Sequence, residues 1–204
     1  MLQLRSIHPH TLELLKKIQG LPCVSKTRLV GGTALALQFG HRQSIDLDFF
    51  GELIDDNEAM EDQLREVGCL HVIKSTSKIR IYQIDDVKVD FADFSRYPWI
   101  DEPVIEEGIV LASPKDIAAM KINAIEGRGT KKDFLDIFLL LQHFSLSEIL
   151  EMYSQKYSEH SVFRALMSLT YFEDADAQLA PKTFDMPNWV DVKHFIISEA
   201  SKIS

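Results

Sequence analysis

The chain has 204 residues, of which 31 are acidic and 22 basic, giving a formal charge of −9, and 46% of its residues are hydrophobic. That length and composition fit one folded domain, or a domain with an appendage, and exclude a disordered chain. The acidic balance excludes a broad basic footprint, so any nucleic-acid partner needs a local patch of positive charge.

Residues 8–19 carry Leu12, Leu15 and Ile18 at helical spacing, with Pro9 in the first turn and Gly20 as a stop. Residues 27–30 form a short apolar approach to Gly31-Gly32-Thr33. A short helix over 33–39 follows, ended by Gly40, and then His41-Arg42-Gln43-Ser44 leads into a strand over 45–50. A helix over 57–67 comes next. Three strand-like runs follow at Leu70–Ser75, 78–84 and 87–94, with Asp85-Asp86 as a turn. These three read as an antiparallel meander. Residues 95–103 read as a loop, and 108–111 as a last strand.

From Ser113 the pattern becomes helical. Ser113-Pro114 is an N-cap followed by proline at the first helical position, and it predicts a helix to Glu126. Gly127-Arg128-Gly129 breaks it, Thr130 starts another helix to Phe144, and further helices fall at 146–157, 161–172 and 188–202. Cys23 and Cys69 lack metal-type spacing and point to a reduced, cytoplasmic compartment. No apolar run is long enough to span a bilayer, so no membrane partner is expected.

Two features carry chemistry. Asp46 and Asp48 lie two apart on a strand, so both carboxylates share one face. Such a pair repels itself unless a cation neutralises it, and an oxygen-only site suits Mg²⁺ or Mn²⁺. Two such ions clamp the attacking and leaving oxygens of a phosphoryl displacement. Asp90 is a third candidate: in the run 87–94 it shares a face with Lys88 and Ala92, opposite Val87, Val89 and Phe91. The glycine pair allows close approach of a ligand, and a helix start beside it offers free N–H groups to phosphate, with the Thr33 hydroxyl as a further donor. Further along, Asp136 sits among Phe134, Leu135, Ile137 and Phe138, where a carboxylate needs a partner; Lys121 or Arg128 is the expected one.

The stretch from Gly31-Gly32-Thr33 through His41-Arg42-Gln43-Ser44 to Asp46-Leu47-Asp48, with Asp90 later, resembles the AbiEii/AbiGii-type nucleotidyltransferases of the DNA polymerase β-like superfamily. Lys121, Arg128 and Lys132-Asp133-Phe134-Leu135-Asp136 resemble that family's later pattern, so the likeness covers about residues 27–142. It implies an α+β polymerase β-like core over 1–112, and a helical region over 113–204 that packs on the core and completes the active site. It also implies two Mg²⁺ ions on Asp46, Asp48 and Asp90, and a nucleoside triphosphate (NTP) held by Gly31, Gly32, Thr33, Arg42 and Ser44. Lys121 would add charge near the triphosphate, and Arg128, Asp133 and Asp136 would support it.

The implied reaction is transfer of a nucleoside monophosphate (NMP) to a hydroxyl on an RNA end, tRNA above all, or on a protein. An antitoxin would restrain it. Lys74, Lys78, Arg80, Lys131 and Lys132 are the cations available for acceptor contacts. Two other readings stand beside this one: an inactive nucleotide- or partner-binding module, and a metal-dependent phosphohydrolase.

Overall fold

The computed structural model describes residues 1–203. It divides into two compact units, one of residues 1–97 with 103–112 and one of residues 98–102 with 113–204.

The first unit is a mixed α/β layer. Its elements in order are α1 (Pro9–Gln19), β1 (Thr27–Leu29), α2 (Gly31–Phe39), β2 (Leu47–Gly51), α3 (Asn57–Arg65), β3 (Leu70–Ser75), β4 (Ile79–Ile84), β5 (Val87–Asp93), β6 (Val104–Glu106) and β7 (Ile109–Leu111). The seven strands form one sheet in the order β3-β4-β5-β2-β1-β7-β6. The meander β3-β4-β5 is antiparallel, as its turn chemistry predicts: Asp85 and Asp86 both take positive φ, at 46° and 66°. β5 then lies parallel to β2, and β1 joins β2 antiparallel.

Period-two burial explains the sheet. Leu47 and Phe49 of β2, Tyr82 and Ile84 of β4, and Val89 and Phe91 of β5 are buried on one face. Phe49 stacks on Phe91 with ring centroids 5.1 Å apart. Each fully buried side chain of this size contributes roughly 1.5–3 kcal/mol. The opposite face carries Asp48, Asp90 and Ala92, all half-exposed.

Three sequence expectations shift. Asp46 precedes β2 rather than lying within it, because the strand starts at Leu47. A strand, β6, occupies part of the stretch next to the expected loop, paired antiparallel to β7 across Glu107 and Gly108 at φ 51° and 78°. Arg80, expected as a surface cation, is fully buried: its guanidinium donates to the Ile54 carbonyl at 2.5 Å and lies 2.8 Å from Met60 Sδ.

The second unit is helical: α4 (Pro114–Gly127), α5 (Lys131–Leu140), α6 (Leu146–Lys156), α7 (Val162–Ser168), α8 (Glu173–Asp176) and α9 (Trp189–Ser201). Ser113 caps α4 through the Asp116 N–H, and Ser145 with Glu148 forms a full capping box on α6. The helix expected over 161–172 stops early, as α7 ends at Ser168, and α8 begins beyond the expected span. Ser168 and Thr170 turn their hydroxyls onto the Arg164 and Met167 carbonyls, which offers the backbone an exit from the helix. Lys131 is also not a surface cation, since its ammonium is 2.5 Å from the Gln178 carbonyl and over the Trp189 ring. Segment 98–102 is tied to this unit by Asp116, which accepts from the Ile100 and Asp101 N–H groups and pairs with buried Lys156 at 2.8 Å.

Candidate active site

The site begins where β1 hands over to α2. The Val30 N–H donates to the Asp48 carbonyl at 2.8 Å, which fixes the start of α2 beside β2. Gly31 sits at φ 66°, and a Cβ there would lie 2.8 Å from Asp48 Oδ2. A Cβ on Gly32 would lie 1.9 Å from Arg42 Nη2. Both positions therefore require glycine for space, and Gly31 also for backbone conformation. The N-cap residue of α2, Val30, makes no side-chain cap, and the helix starts at Gly31 beside the Asp48 carboxylate.

The residues around this turn brace it. Thr33 is 1% exposed; its hydroxyl donates to the Asp46 carbonyl and lies 2.8 Å from Ser44 Oγ. The Ser44 N–H in turn donates to the Ser6 carbonyl at 2.8 Å. Arg42 is 3% exposed, donates to the Gln43 carbonyl at 3.1 Å and packs its guanidinium over Gly32. Thr33, Ser44 and Arg42 thus hold the glycine turn and the entry to β2 in register, rather than presenting free donors.

The carboxylates meet through the sheet. Asp48 and Asp90 are direct partners in the parallel β2–β5 register, on adjacent strands about 4.8 Å apart. Asp90 Oδ2 accepts from Lys88 at 2.5 Å, whereas its Oδ1 is buried with no hydrogen-bond partner. Asp46, half-buried, comes two residues ahead of Asp48, just before β2 begins. Among the described residues no three acidic, histidine or cysteine side chains already converge as a metal cage. Lys88 here supplies the positive charge that a cation would otherwise supply. The donor set still fits a hard cation: all its ligands are oxygens, two carboxylates face each other across one strand gap, and one buried oxygen is unsatisfied.

The other predicted group lies within the helical unit. Lys121, 4% exposed, places its ammonium 2.9 Å from Asp133 and 2.6 Å from Asp136, both of which are fully buried. Arg128 grips Asp133 with two N–H groups at 3.1 and 3.3 Å, and Thr130 donates to it at 2.5 Å. Burial pushes the Asp133 carboxyl up, but Lys121, Arg128 and Thr130 outweigh it and hold it well below the usual carboxylate range. The network therefore joins α4 to α5 and answers the need of Asp136 for a partner.

Comparison with known proteins accords with this layout. The model of a family described as "Nucleotidyl transferase AbiEii toxin, Type IV TA system" matches residues 21–197. The chain belongs to the AbiEii nucleotidyltransferase family. An uncharacterized protein of Aquifex aeolicus is 33% identical over 198 residues, which cover 94% of this chain and 95% of that one. MenT4, a nucleotidyltransferase toxin of Mycobacterium tuberculosis, superposes with a TM-score of 0.61 at 11% identity, over 94% of this chain and 81% of its own. JHP933 from Helicobacter pylori gives 0.57 at 19% identity, over 96% and 90%. The antibiotic-resistance factor ANT(2'')-Ia, solved with adenylyl-2''-tobramycin, gives 0.54 at 13% identity, over 74% and 97%. This AbiEii chain is thus a nucleotidyltransferase with the mixed α/β fold its sequence implies. No helix among the described residues is long and apolar enough to cross a membrane.

Proposed function

We propose that this enzyme transfers an NMP from an NTP to an acceptor hydroxyl, with Mg²⁺ or Mn²⁺ held by Asp48 and Asp90 and, from the strand entry, Asp46. The observation that carries the reading is the Asp48–Asp90 register with the Gly31–Gly32 backbone directly beside it. The N–H groups opening α2 receive the β and γ phosphates, where a free helix start favours negative charge. Thr33, Ser44 and Arg42 keep that turn rigid, so little reorganisation is needed when the triphosphate arrives. The divalent ions, when bound, neutralise the carboxylates and the phosphates and make the acceptor hydroxyl more acidic.

Asp90 Oδ1 accepts the proton of the acceptor hydroxyl as its oxygen attacks the α-phosphorus in line; the bond to the bridging oxygen breaks and pyrophosphate departs. Lys88, which pairs with Asp90 here, would have to release that carboxylate for it to hold a cation. Lys121 stays outside the phosphate-binding set in this reading, because its ammonium is already neutralised by Asp133 and Asp136.

The acceptor is an RNA end, tRNA foremost, or a protein hydroxyl. The family description places its members in type IV toxin–antitoxin systems. We extend that to this chain as a cytoplasmic toxin whose activity a cognate antitoxin restrains. Incubation with each NTP labelled at the α-phosphate, Mg²⁺ and total cell extract tests the reading. Label removed by ribonuclease identifies RNA, and label removed by protease identifies protein. NTP loss with no labelled acceptor would replace transfer with phosphohydrolysis. Binding of NTP without turnover would favour an inactive module.

A further inference from the structure

The sheet face that carries Asp48 and Asp90 continues well beyond them. Cross-strand register runs one row of it from Asp48 on β2 to Asp90 on β5, Ile81 on β4 and Lys74 on β3. A second row runs from Lys88 through Gln83 to His71. Residues directly opposite one another in a sheet share a face, so these side chains form one surface. The other face of the same strands is the covered one, with Arg80, Tyr82, Val89 and Phe91 buried. On the open face Lys74, His71 and Lys88 are exposed, and Ile81 and Gln83 are half-buried.

We propose that this open face is the platform on which the hydroxyl-bearing end of a single-stranded nucleic acid lies, with Lys74 holding a backbone phosphate. The proposal rests on the transferase reading above. It goes further by choosing between acceptor classes and naming the residue that recognises one.

Charge is the reason to choose an anionic strand. Strands β2 to β5 carry three acids, Asp48, Asp90 and Asp93. Asp93 alternates to the opposite face, so the open face holds the two carboxylates of the candidate site and no other from these strands. Past Asp90, toward the sheet edge at β3, its charged groups are lysines. Lys88 is taken up by Asp90. Lys74 forms no ion pair or hydrogen bond among the described residues. In a chain with net charge −9, a lysine left without a carboxylate beside the reacting site is a cation available to a phosphate.

Geometry gives the strand its path. Lys74 lies two strand gaps from Asp90, about 10 Å at roughly 4.8 Å per gap. A single strand rising about 3.4 Å per nucleotide covers that distance in about three nucleotides. With its terminal hydroxyl at Asp90, the strand crosses Ile81 and brings a phosphate near its third nucleotide to Lys74. Ile81, with Ile79 at 43% exposure on the same face, offers flat apolar contact to ribose and base. The Gln83 amide donates to Asp86, and His71 lies against Cys69 Sγ. The face therefore reads backbone charge rather than base sequence.

The test measures binding and transfer separately. Fluorescence anisotropy of the full chain with labelled oligonucleotides of one to six residues should show affinity rising up to about three nucleotides. Lys74→Gln should weaken trinucleotides and longer strands about fivefold, as loss of one exposed charge contact implies. It should also reduce the slope of log affinity against log salt by about 0.7. Lys74→Glu should weaken binding further, with an unchanged melting temperature because the side chain is exposed. Lys17→Gln, on α1, which Gln19 ties to β7, should bind like the parent. In transfer assays Lys74→Gln should raise the acceptor KM rather than lower kcat. Parent-like binding by Lys74→Glu, an unchanged salt slope, or competition by polyglutamate as strong as by an oligonucleotide would overturn the proposal. Transfer that persists with an acceptor KM indifferent to Lys74 would remove the platform alone. No labelled acceptor from any NTP would overturn the transferase reading, and the platform's role with it.

Discussion

Replacing Lys121 with methionine should strongly destabilise the helical unit. The ammonium lies within 3 Å of two carboxylates that are fully buried. Asp133 keeps Arg128 and Thr130 after the change, while Asp136 loses the ammonium 2.6 Å from it. Leaving a buried charge without its partner costs about 3–5 kcal/mol. For a chain of this size each kcal/mol moves the melting temperature by about 2–4 °C, so Lys121→Met should melt roughly 6–20 °C lower. The double variant Lys121→Met/Asp136→Asn should recover most of that loss, because a neutral amide needs no cation. Denaturant titration and thermal melting of the single and double variants read this out. If Lys121→Met stays within about 1 kcal/mol of the parent, as a surface pair would, the buried-network account is wrong. It is equally wrong if the second substitution rescues nothing.

Asp48→Asn should leave stability within about 1 kcal/mol, since it removes a charge facing another charge, while lowering NMP transfer by about 10²–10³-fold. Gly31→Ala should cost about 1–2 kcal/mol for its left-handed backbone. It should also cut transfer about 10²-fold by pushing the Asp48 carboxylate aside. Kinetics and a denaturation midpoint separate the two effects. Arg80→Met should cost about 1–3 kcal/mol by leaving the Ile54 carbonyl unsatisfied, yet leave acceptor affinity unchanged. Weaker acceptor binding would return Arg80 to the surface role its sequence suggested. The Asp133 carboxyl is depressed in the folded state relative to its ordinary 3.8, so the unfolded chain takes up its proton first as pH falls. The stability it confers is therefore present above about pH 4 and is lost as pH falls toward its folded value. Urea midpoints between about pH 4 and pH 2 should drop, and less steeply in Asp133→Asn; identical slopes in that window would contradict the assignment.

Much of the core was legible in the sequence because alternation and turn chemistry act locally. Asp85-Asp86 predicts its hairpin, and the alternation around Val89 and Phe91 correctly turns Asp90 to the opposite side. What periodicity could not give was strand order. That β5 lies parallel to β2, with Asp90 opposite Asp48, depends on contacts 42 residues apart and becomes visible only in the fold. Arg80 and Lys131 were misread as surface cations because a single charged residue carries no mark of burial. The usable signal for Arg80 was its position in the same alternation as Tyr82 and Ile84, both buried. Thr33, Ser44 and Arg42 stand at the glycine turn where the sequence puts them, and their polar groups brace it. Sequence spacing does not distinguish a group that touches phosphate from one that supports the backbone doing so.

The pairing of Asp48 with Asp90 beside the glycine turn is the centre of the account. Its most direct test is transfer of label from α-labelled NTP to extract acceptors, comparing the parent chain with Asp90→Asn, in Mg²⁺ and in chelator. The account predicts labelled acceptor only for the parent in Mg²⁺, with Asp90→Asn folded but inactive. Equal labelling by the folded Asp90→Asn chain, or labelling undiminished by the chelator, would contradict it.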